Sequence, residues 1–418
     1  MSLRFSLSSE QALSIRENFG TPVYVYSEAY LKKQAAQVLA FPNAYGLTAR
    51  FAMKSLPTAA VLRIFNDAGL HLDASSGFEA ERALRAGIDP SKIQITAQQL
   101  PSNLKELVEQ GCLFNACSLR QLEIWGQLFP GRDTGIRINP GLGSGHSNRT
   151  NVGGHSSSFG IWHGYIDRIK EIAKKYGLSI TAMHTHIGSG ADPEVWLRCA
   201  RLSLDNAAQF PDVQRLNLGG GFKAARMDDE EGADLEQIGT KLIPEFEAFA
   251  ADHGRKLALE IEPGAFLTAN AGVLLTSVTD VVSTGAEGYQ FIKIDGGMTE
   301  ILRPSLYGAQ HPIALLPQQS KSTGEDDYLV VGHCCESGDI LSPEPGNPEG
   351  LKTRRLKTAG LGDLVEIGAA GAYCAGMAAK NYNSFPEAPE VLVRENGEFT
   401  LIRRAQSLDQ MLQNEIIP

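Results

Sequence analysis

Cys334, Cys335 and Glu336 stand side by side in the stretch GHCCESGD (332–339). A disulfide between chain neighbours fits poorly onto one trans peptide step, and a metal site spaces its ligands and draws on a second cluster. Packing and catalysis remain open for this trio. Other reactive residues follow short apolar runs: Lys54 in FAMKS, His184, His186 and Ser189 in HTHIGSG, Gly219, Gly220 and Gly221 in NLGGGF, and Glu262 in EIEPG. A lysine withdrawn from water has a lowered pKa and can form a Schiff base with a carbonyl. A glycine triplet lets the backbone close on an anion with its N–H groups as donors. His186 can lay its ring flat on an aromatic group, and Ser189 and Tyr373 can donate to a phosphate. Glu262 can keep a pyridine nitrogen protonated, which makes the ring a stronger electron sink. These uses converge on a phosphorylated aromatic aldehyde. Each also has a plainer reading taken alone: a solvated lysine, a glycine turn, a satisfied core histidine, a capping or ion-paired acid. His184 falls on the same face as His186 and deeper, which suits a structural role.

These residues need a scaffold that brings distant segments to one rim. From residue 47 to 265, apolar runs such as TARFAMKS, LHLDASS, IQITAQ, LFNACS, TGIRINP, ITAMHTHIGSG, VQRLNLGGG and LALEIEPG alternate with amphipathic stretches. Runs this short and evenly apolar suit parallel strands buried on both faces. Eight of them alternating with helices predict an α/β fold, a (β/α)8 TIM-like barrel, whose chemistry collects at the C-terminal strand ends. An open doubly wound sheet is the competing architecture. After Gly264 the strand-like runs GVLLTSVTDVVSTG, YQFIKIDGG, DDYLVVGHCC and DLVEIGAAGAY follow without helices between them. They predict a mostly β domain, sandwich-like or barrel-like, joined by the early run TPVYVYS. The expected division is 30–268 for the barrel and 1–29 with 269–418 for the β-rich domain. SPEPGNPEG (342–350) reads as an exposed loop.

The 418-residue chain is 43% apolar and 21% charged, an ordinary globular profile, with a net charge of −10. That charge disfavours nucleic acid and anionic membrane as partners but leaves an anionic small molecule open. No apolar run reaches the ~18 residues of a membrane span, and the first twenty residues do not read as a signal peptide. The six cysteines lack a framework spacing, which fits a reducing cytoplasm.

The pieces FAMKS, RINP, SFGI, HTHIGSG, NLGGGF, EIEPG, DGGMTEILRPSLYGAQHPI, CCESGD and GAYCAGMAAKNYNSFPEAPEVLV run in this order to the C-terminal region. In that combination the chain resembles the fold-type III pyridoxal-phosphate decarboxylases. The resemblance implies that Lys54 carries pyridoxal 5'-phosphate and that His186 stacks on its ring. Ser189, Gly219, Gly220, Gly221, the backbone of Glu262, Pro263, Gly264 and Ala265, and Tyr373 are similar to the phosphate and ring contacts. Arg303 and Tyr307 resemble a clamp on the substrate's distal carboxylate, with Tyr373 nearby. Glu336 resembles the acid that holds the distal ammonium, and Cys335 the general acid, leaving Cys334 to packing. The implied assembly is a homodimer in which Cys335 and Tyr373 serve the other copy's site, and no metal is implied. The implied reaction is decarboxylation of meso-diaminopimelate to lysine and CO2. Related decarboxylases of a polyamine precursor or siderophore intermediate, a racemase, and a silent cofactor-binding homologue compete. One departure matters: the family's EPGR is here EPGA, so Ala265 stands where an arginine normally helps to hold the distal carboxylate. Lys223, Arg149 or Arg303 alone are the candidate substitutes.

Overall fold

The computed structural model describes residues 4–142, 153–186, 190–318 and 324–418. The chain divides into two compact units. One holds Lys32–Ala225 and Glu231–Leu267; the other holds the chain up to Leu31, Arg226–Glu230 and Thr268–Pro418.

The first unit contains the eight expected parallel strands, in chain order Leu47–Ala52, His71–Ala74, Ile93–Ile95, Leu113–Ala116, Asp133–Asn139, Ser179–His184, Arg215–Asn217 and Ala258–Ile261. Each pairs with the next, and Leu259 pairs with Leu47 to close the ring. Closure rules out the open sheet. The pair Ile161–Trp162 adds an outer edge to the fifth strand. Several of the helices between the strands begin on a capping side chain: Ser76 accepts from the Glu79 amide, Ser118 from Gln121 and Asp234 from Gln237. In Ile166–Tyr176 the buried Ile166, Ile169 and Ile172 form a stripe toward the sheet, and Gly177 at φ 67 ends the helix. The barrel interior is not wholly apolar. Arg50 and Glu260 form a buried ion pair at 2.9 Å.

The second unit is built on a nine-stranded sheet. Its central strand, Gly272–Ser283, changes partners along its length. The first half pairs antiparallel with Val23–Ser27 and Leu364–Ile367, the second half with Gln290–Ile294. The helix Ser9–Phe19 lays Ala12 and Ile15 on a core of Val23, Val25, Val273, Leu275, Leu364 and Val391. TPVYVYS thus enters this sheet, as its alternation of Val and Tyr suggests.

Two local expectations are corrected. SPEPGNPEG is not an irregular loop: Pro343–Glu344 and Asn347–Leu351 pair as a small antiparallel hairpin, with Gly346 at φ 74 making the reversal. Arg226–Glu230, which patterning assigns to the barrel, packs with the second unit instead. Arg4 holds it there, donating to the Arg226 carbonyl at 3.1 Å and pairing with Asp228 at 2.7 Å.

Candidate active site

The barrel gathers Lys54, His186, Gly219, Gly220, Gly221 and Glu262 at the C-terminal ends of its strands. Lys54 lies two residues past Ala52, in the short turn Met53–Ser55. His186 lies two past His184, the glycines follow Asn217, and Glu262 follows Ile261. Pro263 is fixed to the first strand's end, its carbonyl accepting from the Ala52 amide at 3.1 Å. Ser189 and Arg149 lie outside the described residues.

Glu262 is the electrostatic centre of this rim. It is 4% exposed. One carboxylate oxygen lies 3.0 Å from His184 Nε2, and the other accepts from Asn217 Nδ2 at 2.7 Å. Burial opposes its charge, but His184, His186 and Arg137 outweigh burial and hold its pKa down at about 2. Glu262 is therefore ionised at any physiological pH. Asp73, also buried, is driven the other way by desolvation and by the Glu262 charge, with Lys54 partly offsetting both. Two carboxyl groups on one rim are thus shifted in opposite directions.

His186 is pushed well below the usual histidine range by burial and by the charges of Arg137, Lys54 and His184. Its Nδ1 accepts from the Gly220 amide at 3.0 Å, which leaves a neutral ring with its proton on Nε2. His184, His186 and Glu262 also offer metal-type donor atoms within 4.8 Å of one another. One nitrogen of each ring already orients the rim, His184 Nε2 toward Glu262 and His186 Nδ1 on the Gly220 amide. The expected desolvation of Lys54 is not met: it is exposed, flanked by the carboxyl groups of Asp73 and Glu79, both of which feel its charge.

A cradle lies beside these side chains. A Cβ at Gly219 would come 2.5 Å from His186 Nδ1, and one at Gly220 2.1 Å from the Glu262 carbonyl. Gly219 also has φ 73. Only glycine fits at either place. A Gly220→Ala chain is expected to lose about 1–3 kcal/mol of stability through this clash and to retain added pyridoxal phosphate more weakly, which thermal melts and dialysis would measure. Asn217, Asp73, Glu79 and Arg137 were not singled out as individual site residues in the sequence. Only Arg137 carried a signal, as part of RINP.

In the second unit, Arg303 begins the helix Arg303–Tyr307. Its guanidinium sits 2.8 Å from His311 Nε2, while His311 Nδ1 donates to the Gly368 carbonyl at 3.0 Å. Burial lowers the Arg303 pKa, and Tyr373 and Tyr307 lie within its electrostatic reach. Tyr373 holds φ 57, a left-handed conformation costly for a tyrosine, which points to a constrained position.

The two cysteines differ sharply. Cys334 is half-buried beside Asp339, and burial followed by that acid pushes its thiol up to about 12. Cys335 is exposed, with its amide donating to Asn383 Oδ1 at 2.8 Å. Glu336 is exposed too and accepts from the Gly338 amide at 3.1 Å. Asp339 shapes the loop by accepting from the amides of Cys334 and Met298. Next to it, burial raises Glu300 to about 7. A raised acid favours the folded state fully below its ordinary 4.5, and that contribution is lost as pH rises through 7. Glu300→Gln is therefore expected to be the more stable chain at pH 8, by on the order of 3 kcal/mol, with the advantage gone near pH 4.5. Paired thermal melts across that range check the sign.

An amine, a neutral imidazole, an ionised buried carboxylate and a glycine cradle on one rim form a donor set that fits pyridoxal phosphate. The unpartnered buried Asp73 Oδ1 and His184 Nδ1 mark polar atoms that the described residues do not satisfy. Residues 31–269 match the family model for the pyridoxal-dependent decarboxylase pyridoxal binding domain, and the chain belongs to that family. It is 34% identical to the diaminopimelate decarboxylase of Escherichia coli over 98% of this chain and 97% of the relative. The identity to that of Streptomyces coelicolor is also 34%, over 96% and 90%. A solved diaminopimelate decarboxylase superposes with a TM-score of 0.90 at 34% identity, covering 99% of this chain and 98% of the other. The Helicobacter pylori diaminopimelate decarboxylase, solved with L-lysine, gives 0.82 at 25% identity, covering 96% and 98%.

Proposed function

We propose that the protein converts meso-diaminopimelate to lysine and CO2 with pyridoxal 5'-phosphate, as a homodimer in the cytoplasm. The observation that carries this most is Glu262, held ionised and buried beside the Lys54 rim. The full-length similarity to diaminopimelate decarboxylases supports the substrate. When bound, pyridoxal phosphate supplies the electron sink that accepts the electrons of the breaking carbon–carboxylate bond. Lys54 would hold it through its amine. Glu262 keeps the ring nitrogen protonated, braced by His184 and Asn217. His186 offers a flat neutral face to the ring. The amides of the glycine cradle, with Ser189 and Tyr373, receive the phosphate. Arg303 and Tyr307 hold the distal carboxylate and Glu336 the distal ammonium, so that the α-carbon alone is presented for bond cleavage. Cys335 of a second copy returns a proton to that carbon, with Tyr373 arriving from the same side. A reducing location suits a site that depends on a free, exposed thiol.

Ala265 favours a second reading, a decarboxylase of the same fold for another diamino acid or a polyamine or siderophore precursor. Product identification separates the two. Incubation with pyridoxal phosphate and meso-diaminopimelate is expected to yield stoichiometric lysine and CO2. A chain that leaves this substrate intact but decarboxylates a diamino acid without a distal carboxylate would establish the second reading.

A further inference from the structure

Arg226 lies five residues after Gly221, so whatever the arrangement of the two units its backbone stays within about 17 Å of the glycine cradle. It belongs to the short segment that Arg4 pins to the second unit. Its amide and that of Met227 donate to Glu230 Oε2, at 2.7 and 3.2 Å, which fixes the backbone from which the side chain springs. The residue is half-buried, and its Nε is shielded from water without a hydrogen-bond partner. Among the described residues the Arg226 side chain has no ion pair and no hydrogen bond. Such a guanidinium does nothing for the fold that would offset its desolvation.

A second guanidinium is close by. After burial, the Arg303 charge is the next cause that lowers Arg226, to about 9. Both cations act on His311, and both feel Tyr373 and Glu230. Arg303 is braced by the His311–Gly368 relay and likewise has no carboxylate partner among the described residues. Two partly desolvated like charges repel until an anion joins them, and a carboxylate has the two oxygens to accept from both.

We propose that Arg226 is a specificity-determining residue that holds the substrate's distal carboxylate together with Arg303, in place of the arginine missing at position 265. The assignment rests on the diaminopimelate reading and supplies a cation for the distal carboxylate where Ala265 offers none. Lys223 is the weaker candidate. It lies on the barrel side of the division, where its amide and carbonyl tie to Gly190 and Ala233.

The test uses the pyridoxal-phosphate-loaded protein as wild type, Arg226→Met and Arg226→Lys, each confirmed folded by thermal melting. Calorimetry measures binding of pimelate, a seven-carbon dicarboxylate, and of hexanoate, which lacks the second carboxylate. Arg226→Met is expected to weaken pimelate about 10–100-fold and leave hexanoate unaffected, with Arg226→Lys between, since a point charge replaces a fork. With meso-diaminopimelate, KM is expected to rise by a similar factor while kcat changes far less. Equal pimelate affinity in wild type and both variants, or no saturable pimelate binding by wild type, overturns the assignment. Failure of the diaminopimelate reading shows separately, as absence of lysine formation by wild type.

Discussion

Lys54→Ala is expected to abolish turnover, by at least about 10³-fold, because the proposed site has no other amine to anchor the cofactor. The protein incubated with pyridoxal phosphate should also lose the absorbance near the visible edge that marks a cofactor joined to a lysine. The rest of the rim does not depend on Lys54. Glu262 keeps its bonds to His184 and Asn217, and His186 keeps its bond to Gly220. The variant should therefore still fold and bind the cofactor loosely. Asp73 provides an internal check, because the Lys54 charge is what opposes its burial. Without that charge Asp73 titrates higher still. An unchanged spectrum in the Lys54→Ala chain would remove Lys54 from its role.

Cys335→Ala is expected to lower turnover by roughly 10²–10⁴-fold, the usual worth of a positioned proton donor, while the absorbance of the bound cofactor persists. The neighbouring thiol makes the comparison informative. Cys334 is held at about 12 by burial and Asp339, so Cys334→Ala should keep most of the activity. The exposure of Cys335 in a single chain agrees with a donor that serves another copy. Mixing the two inactive chains, Lys54→Ala and Cys335→Ala, should then recover about a quarter of wild-type activity. Half of randomly re-paired dimers are mixed, and each holds one intact site. No recovery under conditions where exchange is demonstrated would argue for sites completed within one chain.

Much of this molecule is written locally. All eight barrel strands coincide with the apolar runs read from the chain, three of them starting one residue earlier, because a parallel strand buried on both faces is mostly apolar. Their C-terminal ends could be located for the same reason, and with them Lys54, His186, the glycine triplet and Glu262. Glycine at 219 and 220 is demanded by close backbone approach, so its chemistry survives as a motif. The hairpin at 343–351 was missed since its Pro and Gly content also describes an irregular loop, and only the pairing distinguishes them.

The sequence by itself thus determined the barrel, the class of chemistry and the residues that gather on its rim, since each is encoded in a short run of neighbours. Tertiary structure alone decided what those side chains are at neutral pH. Glu262 is ionised because His184, His186 and Arg137 reach it from other segments of the barrel, and Asp73 is driven toward its neutral form by burial and by the Glu262 charge. It also separated Cys335 from Cys334, identical in type and adjacent in the chain, by burying one beside Asp339. Arg226 is the plainest case. Within FKAARMDDEEG it reads as one polar residue in a loop, and it becomes a partner of Arg303 only once Arg4, more than two hundred residues away, holds that loop in place. Charge and protonation depend on distance through space, and no spacing along the chain encodes that.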